Sequence, residues 1–169
     1  LPRSARAYEL WLVIVDASAS TRRYQALSQA KGLLAQLFDD AYRRRARLAL
    51  LTASGSKARW QQHGLKASAG LHAWLEGLGA GGGTPLFEAM EEAQRWLSQR
   101  RKRHPGEVQK VLVLTDGRVP QRPSWTTFEC PSLLIDLEAG SIRLGRAADI
   151  ATMIGAEYRH ISHLSVQTL

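Results

Sequence analysis

The sequence predicts an α/β domain with an open, mostly parallel sheet and helices on both faces, and three observations lead there. The run Leu10–Val15 (LWLVIV) is apolar without alternation and stops at Asp16, as a strand buried on both faces does. The run Val111–Leu114 repeats that arrangement and is followed by Thr115-Asp116-Gly117. Between such runs the apolar residues fall three or four apart, and parallel strands need crossover connections of that kind.

The elements follow in order. After Tyr24, residues Leu27, Ala30, Leu34, Leu37 and Ala41 mark the apolar stripe of an amphipathic helix. Arg47–Thr52 reads as a second strand, and Ala58–Gln61 as a third, reached through the turn signal Ser54-Gly55-Ser56. Leu71, Trp74, Leu75 and Leu78 suggest a short helix ending in the glycine-rich stretch 79–83. Thr84-Pro85 then opens a longer helix with Leu86, Met90, Ala93 and Leu97 on one face. Beyond the second Asp-terminated strand, Leu133–Leu137 reads as a strand, Leu144–Ile154 as a helix and Glu157–Ile161 as a last strand. The proline-containing stretch from Gly117 to Pro131 is the one long loop expected.

With 169 residues, 44% of them hydrophobic, the chain suits one domain spanning 1–169 with a single core. It begins with Leu1 and not Met, so we expect a piece of a larger protein. No apolar run nears the ~20 residues of a membrane span. Cys130 is the only cysteine, which excludes an internal disulfide framework and favours a reducing, cytoplasmic setting. The net charge of +8 would attract an acidic partner, nucleic acid or an anionic surface, and does not choose among them.

In doubly wound sheets ligands bind beyond the carboxyl ends of the strands. The residues expected there are Asp16, Ser18 and Ser20 after the first strand, Asp116 after the Val111–Leu114 strand, and Thr84 at a helix start. Two carboxylates and three hydroxyls form a hard, all-oxygen ligand set suited to Mg²⁺ or Mn²⁺ and not to zinc or copper. Each hydroxyl alone reads more readily as a helix N-cap, and only the set points to a metal. A strand-ending carboxylate also needs a metal or a strong hydrogen-bond network to be buried.

These positions resemble the von Willebrand factor A family, whose metal-ion-dependent adhesion site is written D-x-S-x-S, a separate Thr and a later Asp. Asp16, Ser18, Ser20, Thr84 and Asp116 match all five. The resemblance implies that a carboxylate from a partner completes the metal's shell. Gly81-Gly82-Gly83-Thr84-Pro85-Leu86, the run from Val113 to Arg118, and Ile135-Asp136-Leu137-Glu138 followed by Arg143-Leu144-Gly145 are further similar to the carboxyl-terminal domain of the magnesium chelatase D subunit and related cobaltochelatase components. That resemblance implies a non-catalytic, metal-dependent interaction module in a chelatase-type ATPase assembly that inserts metal into a tetrapyrrole. The alternatives are an adaptor or adhesion domain of another system and a basic nucleic-acid-binding domain.

Arg22, Arg23, Arg118 and Arg122 flank the motif loops and are expected to attract an acidic partner segment, and Trp125, in the long loop, is expected as an exposed aromatic anchor. The runs Arg43–Arg45 and Arg100–Arg103 read as solvated helix ends, and no nucleic-acid motif accompanies them. Hydrolase chemistry lacks its residues. Position 18 is Ser where a haloacid-dehalogenase-type phosphatase needs an acid, no Gly-Lys-Ser/Thr follows the glycine run, and the five histidines show no metal-protease spacing.

Overall fold

The computed structural model describes residues 8–16, 26–54, 57–66, 85–139 and 143–164. They form β1 (Glu9–Asp16), α1 (Ala26–Arg44), β2 (Arg47–Ser54), β3 (Lys57–Lys66), α2 (Leu86–Arg103), β4 (Val108–Thr115), β5 (Ser132–Asp136), α3 (Arg146–Ile154) and β6 (Glu157–His160), closed by a 3₁₀ turn at Ile161–His163. The helix expected around Leu71–Leu78 lies outside the described residues.

The sheet order is β3-β2-β1-β4-β5-β6. Strands β2, β1, β4, β5 and β6 run parallel, and β3 pairs antiparallel with β2 at the edge. Only two residues separate β2 from β3, too few for a crossover, so a hairpin partner is the geometry available. From β1 the chain first builds outward through β2 and β3 and then returns to the other side of β1 with β4. The order therefore reverses between β1 and β4.

The apolar runs alternate between two buried faces. Trp11, Val13, Val15, Leu48, Leu50, Leu112 and Ile135 meet Leu34, Leu37 and Phe38 of α1. Leu10, Leu12, Ile14, Leu51, Val113 and Leu134 meet Leu86, Met90 and Leu97 of α2 and Ala147, Ile150 and Ile154 of α3. Each buried Leu or Ile contributes about 1.5–3 kcal/mol relative to exposure, so the central strands anchor both layers.

The long loop corrects one expectation. Trp125 is only 8% exposed, and its indole meets Phe87 edge-on, 5.4 Å between centroids at 73°. Val119 and Phe128 are buried with it. An aromatic of this size buries some 150–250 Å², more than enough reason for a loop to turn its tryptophan inward. Trp125 thus fastens the loop to α2 with its ring largely buried, and is not the exposed anchor expected from the sequence.

The basic end of α2 differs in part from a solvated run. Arg100 donates from Nε and Nη2 to the two carboxylate oxygens of Glu107 at 2.6 and 2.8 Å, and Glu107's side chain is 3% exposed. Arg101 donates to Gln109 and Glu129, while Gln109 donates back to the Leu97 carbonyl. Forked arginine–carboxylate pairing of this kind fixes geometry, and here it ties the end of α2 to the start of β4.

Gly117, directly after Asp116, sits at φ +74°, and a Cβ there would lie 2.4 Å from the Ala147 amide nitrogen and 2.8 Å from its Cα. The first turn of α3 packs on bare backbone at this point. Gly145 has a similar φ of +71° but open space around its missing Cβ. Gly117→Ala is expected to cost about 2–4 kcal/mol, dihedral strain plus a backbone clash. Gly145→Ala should cost about 1 kcal/mol from dihedral strain alone. Denaturant midpoints of the two variants check this, and equal losses would mean that the close approach contributes nothing.

Candidate metal centre and its polar surroundings

Asp16 ends β1 and Asp116 follows β4, and because these strands are parallel neighbours with Val15 opposite Leu114, both carboxylates stand at one carboxyl edge, at the point where strand order reverses. Both are buried, at 1% and 3% exposure. Thr115, which the sequence reading passed over, positions them. Its hydroxyl donates to Asp16 Oδ2 at 2.7 Å and accepts from the Gly117 amide at 3.0 Å. Asp116 Oδ1 accepts from the Arg118 amide at 3.0 Å. These bonds fix the carboxylates' orientation without neutralising them.

The donor chemistry fits a hard divalent cation, since both described groups are carboxylate oxygens. Among the described residues no group of three or more His, Cys, Asp or Glu side chains could hold an ion by itself. Two carboxylates at the edge would need the hydroxyls of Ser18, Ser20 and Thr84, which lie outside the described residues, as do Arg22 and Arg23.

Of the arginines expected to face a partner, two are described. Arg118 is partly exposed, with its Nε 3.4 Å from Glu138 Oε2. Arg122 is exposed. It pairs with Glu88 at 2.9 Å and lies 4.6 Å from the Phe87 ring centroid.

A second polar cluster adjoins this edge at the ends of β5 and β6. Asp136, buried, accepts from the Glu138 amide at 2.8 Å and from the Tyr158 hydroxyl at 2.5 Å. Burial pushes the Asp136 carboxyl above its usual range, against the opposing pull of those two hydrogen bonds. Tyr158 is pushed up as well, first by burial and then by its bond to Asp136. Glu138, 2% exposed, accepts from the Gly145 amide at 3.2 Å while its other oxygen faces Arg118. The Ser162 amide donates to His160 Nδ1 at 3.1 Å, so the ring proton sits on Nε2 and is donated to the Glu138 carbonyl at 2.6 Å. The available signal was a third apolar strand closing on an aspartate, as the first and fourth do.

The chain is similar to three known proteins in particular. An uncharacterized protein of Mycobacterium tuberculosis is 26% identical over 178 residues, covering 99% of this chain and 28% of its own length. The magnesium-chelatase 60 kDa subunit of Rhodobacter capsulatus is 38% identical over 104 residues, covering 62% of this chain and 18% of its own length. The chain therefore spans less than a third of either relative. Among solved structures, manganese-loaded TRAP protein of Plasmodium vivax superposes with a TM-score of 0.66 at 18% identity, over 92% of this chain and 69% of that one. That likeness bears out the fold. The family described as von Willebrand factor type A domain matches residues 11–118, more than half of the sequence, and this chain belongs to that family.

Proposed function

We propose that this domain is a divalent-metal-dependent protein-interaction module of a magnesium- or cobalt-chelatase-like ATPase assembly. The observation that carries the reading is the pair of buried carboxylates, Asp16 and Asp116, at the strand-order reversal, with Thr115 orienting the first. Asp16, Ser18, Ser20, Thr84 and Asp116 would hold Mg²⁺ or Mn²⁺ there. The bound ion would supply an electrophilic point that accepts a carboxylate from an acidic partner segment. The chain's own residues do the rest. Thr115 and the Arg118 amide hold the carboxylates in place, and Arg118 and Arg122, with Arg22 and Arg23, add long-range attraction.

The chelatase context is supported by the 38% identity to the Rhodobacter capsulatus subunit and by the Asp136–Glu138 and Gly145 positions, which are joined in one hydrogen-bonded cluster. With it goes a cytoplasmic setting. Among the described residues no helix is long and apolar enough to cross a membrane.

Calorimetric titration of metal-free protein should detect reversible binding of Mg²⁺ or Mn²⁺, weak in the absence of a partner. Asp16→Ala should abolish the heat while the fold persists, at a cost of about 1–3 kcal/mol for the acceptor lost to Thr115. No heat with either ion at millimolar concentration and an intact fold would refute the site.

Capture of full-length chelatase-type partners should disappear in EDTA. Arg118→Ala or Arg122→Ala should instead slow association several-fold and flatten its salt dependence, because charges near a rim act mainly on encounter rate. Capture that survives chelator, or survives the combined Thr84→Ala and Asp116→Ala change, would assign binding to another surface.

A further inference from the structure

Beside Asp116 the surface continues into a groove of about 210 Å³ that begins at Gly117 and runs between the long loop and α3. It is smaller than the ~300–1,000 Å³ of small-molecule sites and so has room for a side chain more readily than for a cofactor. Its apolar lining comes from Val119, Trp125, Ile150 and Met153, the first three buried and Met153 39% exposed. Its charged lining is Arg122 and Arg146 against the single acid Asp149. From these we infer that the groove is a specificity pocket for the same partner segment, taking an apolar side chain a few residues from the acidic residue at the metal, with Arg122 and Arg146 reading a further acidic group. The inference rests on the metal-anchored reading above and adds to it the chemistry of the flanking sequence.

Three features support it. The groove lies next along the chain from the proposed anchor, since Gly117, which follows Asp116, is one of its lining residues, and the close packing of Gly117 on Ala147 sets α3 against it. Arg122 is oriented by the Phe87 ring, while its pair with Glu88 is exposed on both sides and worth about 0–1 kcal/mol, so an incoming carboxylate can replace Glu88 at little cost. Met153 supplies a polarizable side chain that adapts to differently shaped apolar groups. Its exposure alone would mean little, but it joins a buried apolar floor with two cations on the rim.

The test uses an array of seven-residue peptides, randomised around a fixed central Glu and probed with the whole chain in Mg²⁺. Retained peptides should share a Leu, Met or Phe at one flanking position and a second acidic residue. Met153→Glu and Arg146→Glu should each weaken retention tenfold or more, whereas Met153→Leu retains it and calorimetric Mg²⁺ binding is unchanged in all three. Peptides retained for Glu alone, no retention in Mg²⁺, or full retention by both charge variants would overturn the groove, and the calorimetry then reports separately on the metal site. Retention of the same apolar and acidic peptides in EDTA would uphold the groove and overturn the metal-anchored reading.

Discussion

The arrangement depends on burying two carboxylates at the ends of neighbouring parallel strands. Taking such groups out of water costs several kcal/mol each unless something compensates. The fold meets part of that cost with groups it already has at the strand ends. The Thr115 hydroxyl serves Asp16, and the turn that follows β4 points the Arg118 amide at Asp116. The turn needs a residue with positive φ and no Cβ, which is why Gly117 follows the aspartate and why α3 can come so close. A requirement at two side chains thereby sets the path of the backbone and the seat of a helix. Two oriented carboxylates at one sheet edge are the feature on which the proposed cation site rests.

The cluster at β5 and β6 solves the same problem differently. Asp136 is held by a phenol and an amide, and its carboxyl is pushed up. Glu138 is matched instead with Arg118. The two carboxylates, two residues apart, therefore play separate parts: Asp136 fastens β6 to β5 through Tyr158, and Glu138 joins the Arg118 loop to Gly145 at the start of α3. Arg118 is connected on one side to Asp116 through its amide and on the other to Glu138 through its guanidinium. Its side chain is thus partly immobilised, which in the proposed complex would lower the entropy lost on binding.

The parallel core was legible because burial on both faces leaves an unmistakable run of apolar residues, as in Leu10–Val15 and Val111–Leu114, and α1 and α2 because their stripes repeat at helical spacing. The ends shifted by a residue or two at β5 and α3, by three at the start of β4 and by five at the end of β3, because capping and hydrogen bonding decide there and periodicity says little. Trp125 was misjudged because a loop has no period from which the direction of a side chain can be read. The positions Asp16 and Asp116 were legible from their place after apolar strands. Thr115 was not, since only the register of β4 against β1 shows that its hydroxyl reaches Asp16.

The charge of the chain is also more localised than its sum implies. Of the positive residues, Arg100 is committed to buried Glu107, Arg101 to Gln109 and Glu129, Arg44 and Lys110 to Glu9 with their cations near the Trp11 ring, and Arg118 to Glu138. Nucleic-acid affinity comes from many phosphates neutralised along one face, and cations tied to carboxylates or spread over opposite ends of the sheet are poorly arranged for that. Arg122 and Arg146 are placed differently, lining an apolar groove that also includes Gly117, the residue after Asp116. Two cations there, against the one acid Asp149, favour a short acidic segment more than a long polyanion. Among the described residues, the cations named here are thus held in two settings, paired to carboxylates on the body of the domain or lining the groove, and only the second leaves positive charge where the proposed acidic segment would lie.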